Sequence, residues 1–181
     1  MIGHTPTPTA SFQRLILPHL DSAYSLARYL SRDASAAEDI AHDAMLKAFR
    51  AFDGFRGGDG KAWLLAIVRN AHLDWARKSK GWRMLTAEAG DIDILTELAD
   101  PDQITAEAGL IAQADVATVR AGIEALAEPF REAVVLRDLE ALSYREIALA
   151  TGVAIGTVMS RLARGRALLA RHLTPLREDS L

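Results

Sequence analysis

Ser143-Tyr-Arg-Glu-Ile-Ala-Leu-Ala-Thr-Gly-Val-Ala-Ile-Gly-Thr-Val-Met-Ser-Arg-Leu-Ala-Arg164 decides the fold of the C-terminal half. Ser143 and Glu146 have the spacing of a capping box, in which the hydroxyl takes one free amide of a helix start and the carboxylate takes another. A short helix therefore opens at Ser143 and runs to about Ala150. Thr151-Gly-Val153 turns the chain, and a last helix runs from about Gly156 to His172. Two helices that cross this closely need a small residue at the crossing, supplied by Ala148. They need a residue tolerant of positive φ in the turn, supplied by Gly152. They also need an apolar anchor on the second helix, supplied by Val158. The segment reads as a helix-turn-helix.

The second helix divides into two faces. Val158, Leu162, Gly165 and Leu169 fall on one stripe, and Thr157, Ser160, Arg161, Arg164 and Arg171 lie opposite. Hydroxyls near the start and arginines beyond suit a DNA major groove, where early residues meet base edges and arginines meet phosphate or guanine. An αα-hairpin with a solvated basic face fits the same pattern.

Working outward, strand signals are nearly absent and the reading is all-α: two small helical domains joined by an acidic linker, the second a helix-turn-helix domain. Residues 1–10 are Pro/Thr-rich and expected to be disordered. The first domain covers 11–80. Its first helix spans about 11–31 and kinks or restarts near Pro18. A second begins at the capping box Ser35-Ala-Ala-Glu38 and runs to about Phe52, with Ile40, Ala41, Ala44 and Ala48 as its stripe. The four glycines of 53–60 set a loop, and a third helix spans about 61–78. Residues 81–108 are the linker, with Ile92, Ile94, Leu95 and Leu98 available to dock. Residues 109–173 form the second domain, with a helix resuming at about 104–127 and another at 129–139. Residues 174–181 are a tail.

The third helix has an apolar stripe of Leu64, Val68, Ala71 and Trp75. Asn70, Asp74 and Arg77 share another face, with Trp63 one helical repeat earlier and Lys78 following. An aromatic ring and an amide beside cations suit single-stranded nucleic acid, which stacks a base and holds its edge. Taken in isolation, a surface helix with an ordinary charged face and a core tryptophan is the simpler reading. On the second helix Glu38 and Asp39 fit the helix dipole, whereas Asp43 lies beyond the first turn and fits a contact surface better.

The chain is 181 residues, half apolar and a quarter charged, with a net charge of −3. That total argues against a nucleic-acid binder until it is divided. Residues 61–80 carry a net +4, 81–108 a net −6 and 141–173 a net +4. Two basic patches flank an acidic stretch. The absence of cysteine removes disulfides, thiolate zinc sites and thiol nucleophiles. There is no apolar run of transmembrane length and no signal peptide. His4, His19, His42, His72 and His172 show no ligand spacing, and no P-loop or nucleophile elbow is present. Neither an enzyme nor a cofactor is expected.

Three ordered motifs carry a family resemblance over about residues 11–173. Ala37-Glu-Asp-Ile-Ala-His-Asp-Ala-Met-Leu-Lys-Ala-Phe-Arg50 resembles the core-binding helix of the bacterial extracytoplasmic-function (ECF) sigma factors, which belong to the sigma-70 family. Ala62-Trp-Leu-Leu-Ala-Ile-Val-Arg-Asn-Ala-His-Leu-Asp-Trp-Ala-Arg77 resembles their melting and −10 helix, and residues 126–166 resemble their −35 reader.

The resemblance implies a cytoplasmic bacterial protein that directs core RNA polymerase to promoter DNA, under the control of an anti-sigma factor, with no small-molecule substrate. It implies docking on the β′ clamp through Asp39, Ile40, Asp43, Phe49 and Phe52. It implies −10 capture through Trp63, Asn70, Asp74, Arg77 and Lys78. It implies −35 binding through Thr157, Met159, Ser160, Arg161, Arg164 and Arg166, with a contact to the β flap. The acidic linker would thread toward the polymerase cleft, although a plain solvated linker fits as well.

His42 and Asp43 stand where Gln and Glu are usual. Met159 replaces a common lysine and alters the contact at that position. Gly165 replaces a common alanine, which costs about 1 kcal/mol of helix propensity or else permits closer helix packing. A stand-alone repressor or activator with a dimerising first domain is the main competitor. A pure interaction protein is the third reading, and it predicts no salt-dependent DNA binding.

Overall fold

A proline at a first helical position costs no hydrogen bond, because that amide has no partner in a helix. Pro8 uses this freedom to start the first helix, α1 (Pro8–Leu15), with the Thr7 hydroxyl accepting from the Ala10 amide at 3.3 Å. The computed structural model describes residues 7–79 and 116–173 and divides into two units, Met1–Lys80 and Gly81–Leu181. Residues 8–10 are thus helical rather than disordered. The expected linker, the onset of the helix at 104–115 and the tail lie outside the described residues.

In the first unit Pro18 does restart the helix. A 3-10 turn (Leu17–His19) separates α1 from α2 (Leu20–Ser31). The next helix, α3 (Ala34–Ala51), departs from expectation at its start. Its cap is Asp33, whose carboxylate accepts from the Ala36 amide at 2.7 Å. Asp33 has the extended backbone of an N-cap (φ −133°, ψ 130°), and Ser35 is already helical, so Ser35 and Glu38 form no capping box. After a 3-10 turn (Phe52–Gly54) and a glycine loop, Asp59 caps α4 (Gly60–Lys78).

Helices α2, α3 and α4 pack on one another. Leu26 and Leu30, Ile40 and Ala44, and Leu64 and Val68 are buried between them. The α3 face is mainly alanine (Ala37, Ala41, Ala44, Ala48), which lets its neighbours approach closely. On α4 the expected stripe holds at Leu64, Val68 and Ala71. Trp75, however, is only half-buried, and Ala76 takes the core position.

In the second unit α5 (Val116–Ala125) and α6 (Glu128–Val134) precede a π-helical turn (Val135–Leu139). Then come α7 (Tyr144–Thr151) and α8 (Ile155–Leu173). Arg131, 1% exposed, donates to the Leu126 carbonyl at 2.6 Å and closes the end of α5. The capping box at Ser143 and Glu146 is complete. Gly152 sits at φ 72° and its amide closes α7 on the Ala148 carbonyl at 2.9 Å. The bend between α7 and α8 is 104°, within the helix-turn-helix range.

The stripe Val158, Leu162, Gly165 and Leu169 is fully buried. A Cβ on Gly165 would meet Val134 Cγ2 at 2.7 Å and the Phe130 carbonyl oxygen at 3.2 Å. The lost helix propensity is therefore exchanged for a close crossing of α8 over α6. No single helix among the described residues is long and apolar enough to cross a membrane.

Ala141 adopts φ 59°, a left-handed conformation that costs a residue with a Cβ about 1–2 kcal/mol. Ala141→Gly removes that strain at some cost in unfolded-chain entropy. The expected net gain is about 0.5–1 kcal/mol, seen as a higher urea midpoint. A lower midpoint would show that the turn carries no such strain.

Candidate nucleic-acid and docking interfaces

The −35 candidates lie on α8, the second helix of the helix-turn-helix. Burial of the α8 stripe turns Met159 outward, 49% exposed, and leaves Thr157, Ser160, Arg161 and Arg164 half-exposed. Ser160 Oγ donates to the Thr157 carbonyl at 3.0 Å, which holds that hydroxyl on its own helix. Arg161 and Arg164 have no acidic partner among the described residues. Arg166 is placed differently. Its Nε donates to Asp138 Oδ2 at 3.0 Å and its Nη2 to Oδ1 of the same carboxylate, and its side chain is only 16% exposed. The hydrogen bond to Asp138 raises the pKa of Arg166.

The −10 candidates lie along α4. Asn70, Arg77 and Lys78 are exposed. Trp63 is half-buried in an aromatic cluster, with its ring 5.0 Å from Phe55 and 6.3 Å from Phe52. Phe52 also meets Phe12 at 5.3 Å, and Phe12 meets Phe49 at 5.2 Å. The predicted stacking ring Trp63 and the predicted docking rings Phe49 and Phe52 therefore belong to one continuous cluster.

The docking candidates lie on α3. Asp39 and Asp43 are exposed and Phe49 is 51% exposed. Ile40 is a correction. It is 2% exposed, because its position on the alanine face turns it into the core, so it supports the surface rather than forming it. Two features were not read from the sequence. An open groove of about 530 Å³ is lined by Leu17, Leu20, Tyr24 and Met45 together with the acidic Asp21 and Glu38. Its signal in the sequence was the surplus of apolar residues along 17–24, beyond what one core stripe requires.

The second is a bridge between the two candidate surfaces. Lys47 Nζ reaches Asp43 at 2.9 Å and Asp74 at 3.0 Å, and Arg77 approaches Asp74 at 3.5 Å. The hydrogen bonds to Asp43 and then Asp74 raise the Lys47 pKa, and the hydrogen bond from Lys47 lowers that of Asp74.

The depressed Asp74 stabilises the fold above the ordinary aspartate value of about 4, and that contribution disappears as the pH falls below it. The raised Lys47 contributes below about 10.4, and its contribution disappears above that value. The Lys47 and Asp74 side chains are 40% and 45% exposed, so solvent screening holds the contribution to about 1 kcal/mol at most. Lys47→Met is expected to flatten the stability profile at both ends, as followed by urea midpoints across pH. A profile as steep as the wild type's would assign the dependence to other groups.

A model of sigma-70 region 2 matches residues 15–83, and a model of sigma-70 region 4 matches residues 117–169. The chain is 36% identical over 164 residues to the ECF RNA polymerase sigma factor SigE of Mycolicibacterium smegmatis, covering 90% of this chain and 62% of that relative's length. It is 32% identical over 178 residues to the RNA polymerase sigma-H factor of Pseudomonas aeruginosa, covering 94% and 90% of the two chains. Among solved structures it resembles the sigma factor RpoE of Bartonella quintana, crystallised with the anti-sigma factor NepR. The TM-score is 0.68 and the identity 30%, over 91% of this chain and 97% of that one.

Proposed function

Since the chain belongs to the extracytoplasmic-function sigma factors of the sigma-70 family, we propose that its two units divide promoter recognition between them. It is a transcription initiation factor and not an enzyme. The second unit reads the −35 duplex through α8, with Thr157, Met159 and Ser160 toward base edges and Arg161 and Arg164 toward phosphate or guanine. The first unit docks on core RNA polymerase through Asp39, Asp43 and Phe49, with Phe52 and Ile40 supporting that face. Asn70, Arg77 and Lys78 meet the −10 strand, Trp63 stands beside them in its aromatic cluster, and Asp74 orients Arg77. The β′ clamp and the β flap are the polymerase elements met, and the protein works in the bacterial cytoplasm, where that enzyme is.

The observation that carries this reading is the 104° helix-turn-helix whose outer face bears two arginines without acidic partners among the described residues. Control by an anti-sigma factor follows from the likeness to RpoE, solved with such a partner. The apolar, acid-lined groove beside α2 and α3 suits a helix with apolar and basic residues.

Electrophoretic mobility shift with and without core polymerase separates this reading from a stand-alone repressor. The full chain is expected to retard promoter DNA only together with core enzyme. Tight, sequence-specific retardation by the chain alone would favour the repressor.

A further inference from the structure

Asp138 and Arg166 stand 28 residues apart and form a two-pronged ion pair, with the side chains 29% and 16% exposed. Asp138 lies in the π-helical turn Val135–Leu139. A π turn inserts a residue into the helical ladder and re-aims the side chains beyond it, and here it presents the carboxylate to the basic edge of α8.

The neighbours brace the same corner. Arg137 lies over the Tyr144 ring at 5.0 Å and donates to the Leu142 carbonyl at 2.8 Å, and Arg166 also interacts with the Tyr144 side chain. The chain from the π turn to the start of α7 is thus tied to the recognition helix through Arg166.

A guanidinium carries two parallel N–H pairs, side-on and end-on, and either grips a carboxylate or a DNA phosphate. Asp138 occupies the side-on pair of Arg166, offsets its charge and fixes the direction of what remains of the guanidinium. Resting on the reading of α8 as the −35 reader, we infer that Asp138 withholds Arg166 from the DNA backbone and makes it a strut that sets the pitch of α8. Asp138 is then a positioning residue for sequence discrimination. It keeps the basic edge from becoming a clamp on any DNA, and Arg161 and Arg164 carry the charge-dependent contact.

The test uses holoenzyme reconstituted from the full chain and core polymerase. Affinity is measured over a salt series for a promoter fragment and for the same fragment with its −35 element scrambled. Each phosphate contact contributes about 0.9 to the slope of log affinity against log salt. Asp138→Asn frees the fork, so the slope is expected to steepen by about 0.9 and the preference for the intact −35 element to fall several-fold. Adding Arg166→Gln to that variant should return the slope to the wild-type value.

Arg166→Gln alone, the safeguard if Asp138→Asn does not fold, should lower −35 affinity without changing the slope. A slope shallower by about 0.9 in that single variant would make Arg166 a direct phosphate ligand and overturn the inference. An unchanged slope and preference in folded Asp138→Asn would overturn it as well. If the wild-type holoenzyme itself ignores the scrambling, the reading of α8 falls first.

Discussion

Combining Arg161→Ala with Arg164→Ala is expected to abolish −35 recognition while leaving the fold intact. On the proposed reading, each guanidinium meets either a guanine edge or a phosphate. A two-pronged base contact is worth about 1–3 kcal/mol, so the pair accounts for roughly 2–6 kcal/mol, or about 30-fold to 10⁴-fold in affinity. If both meet phosphates, the salt slope falls by about 1.8. The fold should tolerate the change. Neither arginine has an acidic partner among the described residues, both leave the buried stripe untouched, and alanine is a strong helix former. Unchanged −35 affinity in a normally folded double variant would remove α8 from the interface.

The second large effect is on polymerase docking. Asp39 and Asp43 are exposed one helical turn apart on α3, and the resemblance assigns them to the clamp contact. Reversing both to lysine changes the local charge by four and sets cations against a surface that attracted anions. Like-charge contacts at an interface cost several kcal/mol, so core binding is expected to weaken by about 100-fold or more. The cost within the chain is small. Asp43 loses its ion pair with Lys47 at 2.9 Å, but such exposed pairs contribute about 0–1 kcal/mol. The helix-turn-helix belongs to the other unit and should keep its thermal stability. Retention of core polymerase at wild-type strength in a pull-down would place the docking surface elsewhere.

What could be read from the sequence was whatever chemistry confines to a few neighbouring positions. A left-handed turn needs a residue such as Gly152, a capping box needs Ser143 and Glu146 three apart, and a buried stripe needs Val158, Leu162, Gly165 and Leu169 on one side. The Ser35 cap failed because Asp33, two residues earlier, starts the helix from a backbone that is still extended and caps the Ala36 amide, which leaves Ser35 inside the first turn. Which candidate caps is decided by where the preceding chain turns, here at Arg32 with φ 58°. Ile40 falls on one stripe with Ala41, Ala44 and Ala48, and that stripe is buried; only the family resemblance put Ile40 at the contact surface.

The ion pairs at the sites were out of reach for a different reason. Lys47 meets Asp74 across 27 residues and Arg166 meets Asp138 across 28, and no local spacing announces such a contact. The π turn likewise has no composition of its own. The sequence alone therefore made Arg166 one more cation on a basic helix, whereas the structure gives it an acidic partner.

The central claim is that this chain directs polymerase to promoters through two separate readers. Run-off transcription with purified core enzyme on genomic fragments tests it most directly. Adding the chain should yield discrete transcripts whose start sites share one −35 and one −10 sequence. The Arg161→Ala, Arg164→Ala variant and the Asp39→Lys, Asp43→Lys variant should each lose those transcripts. Core enzyme that starts no more selectively with the chain than without it would contradict the account.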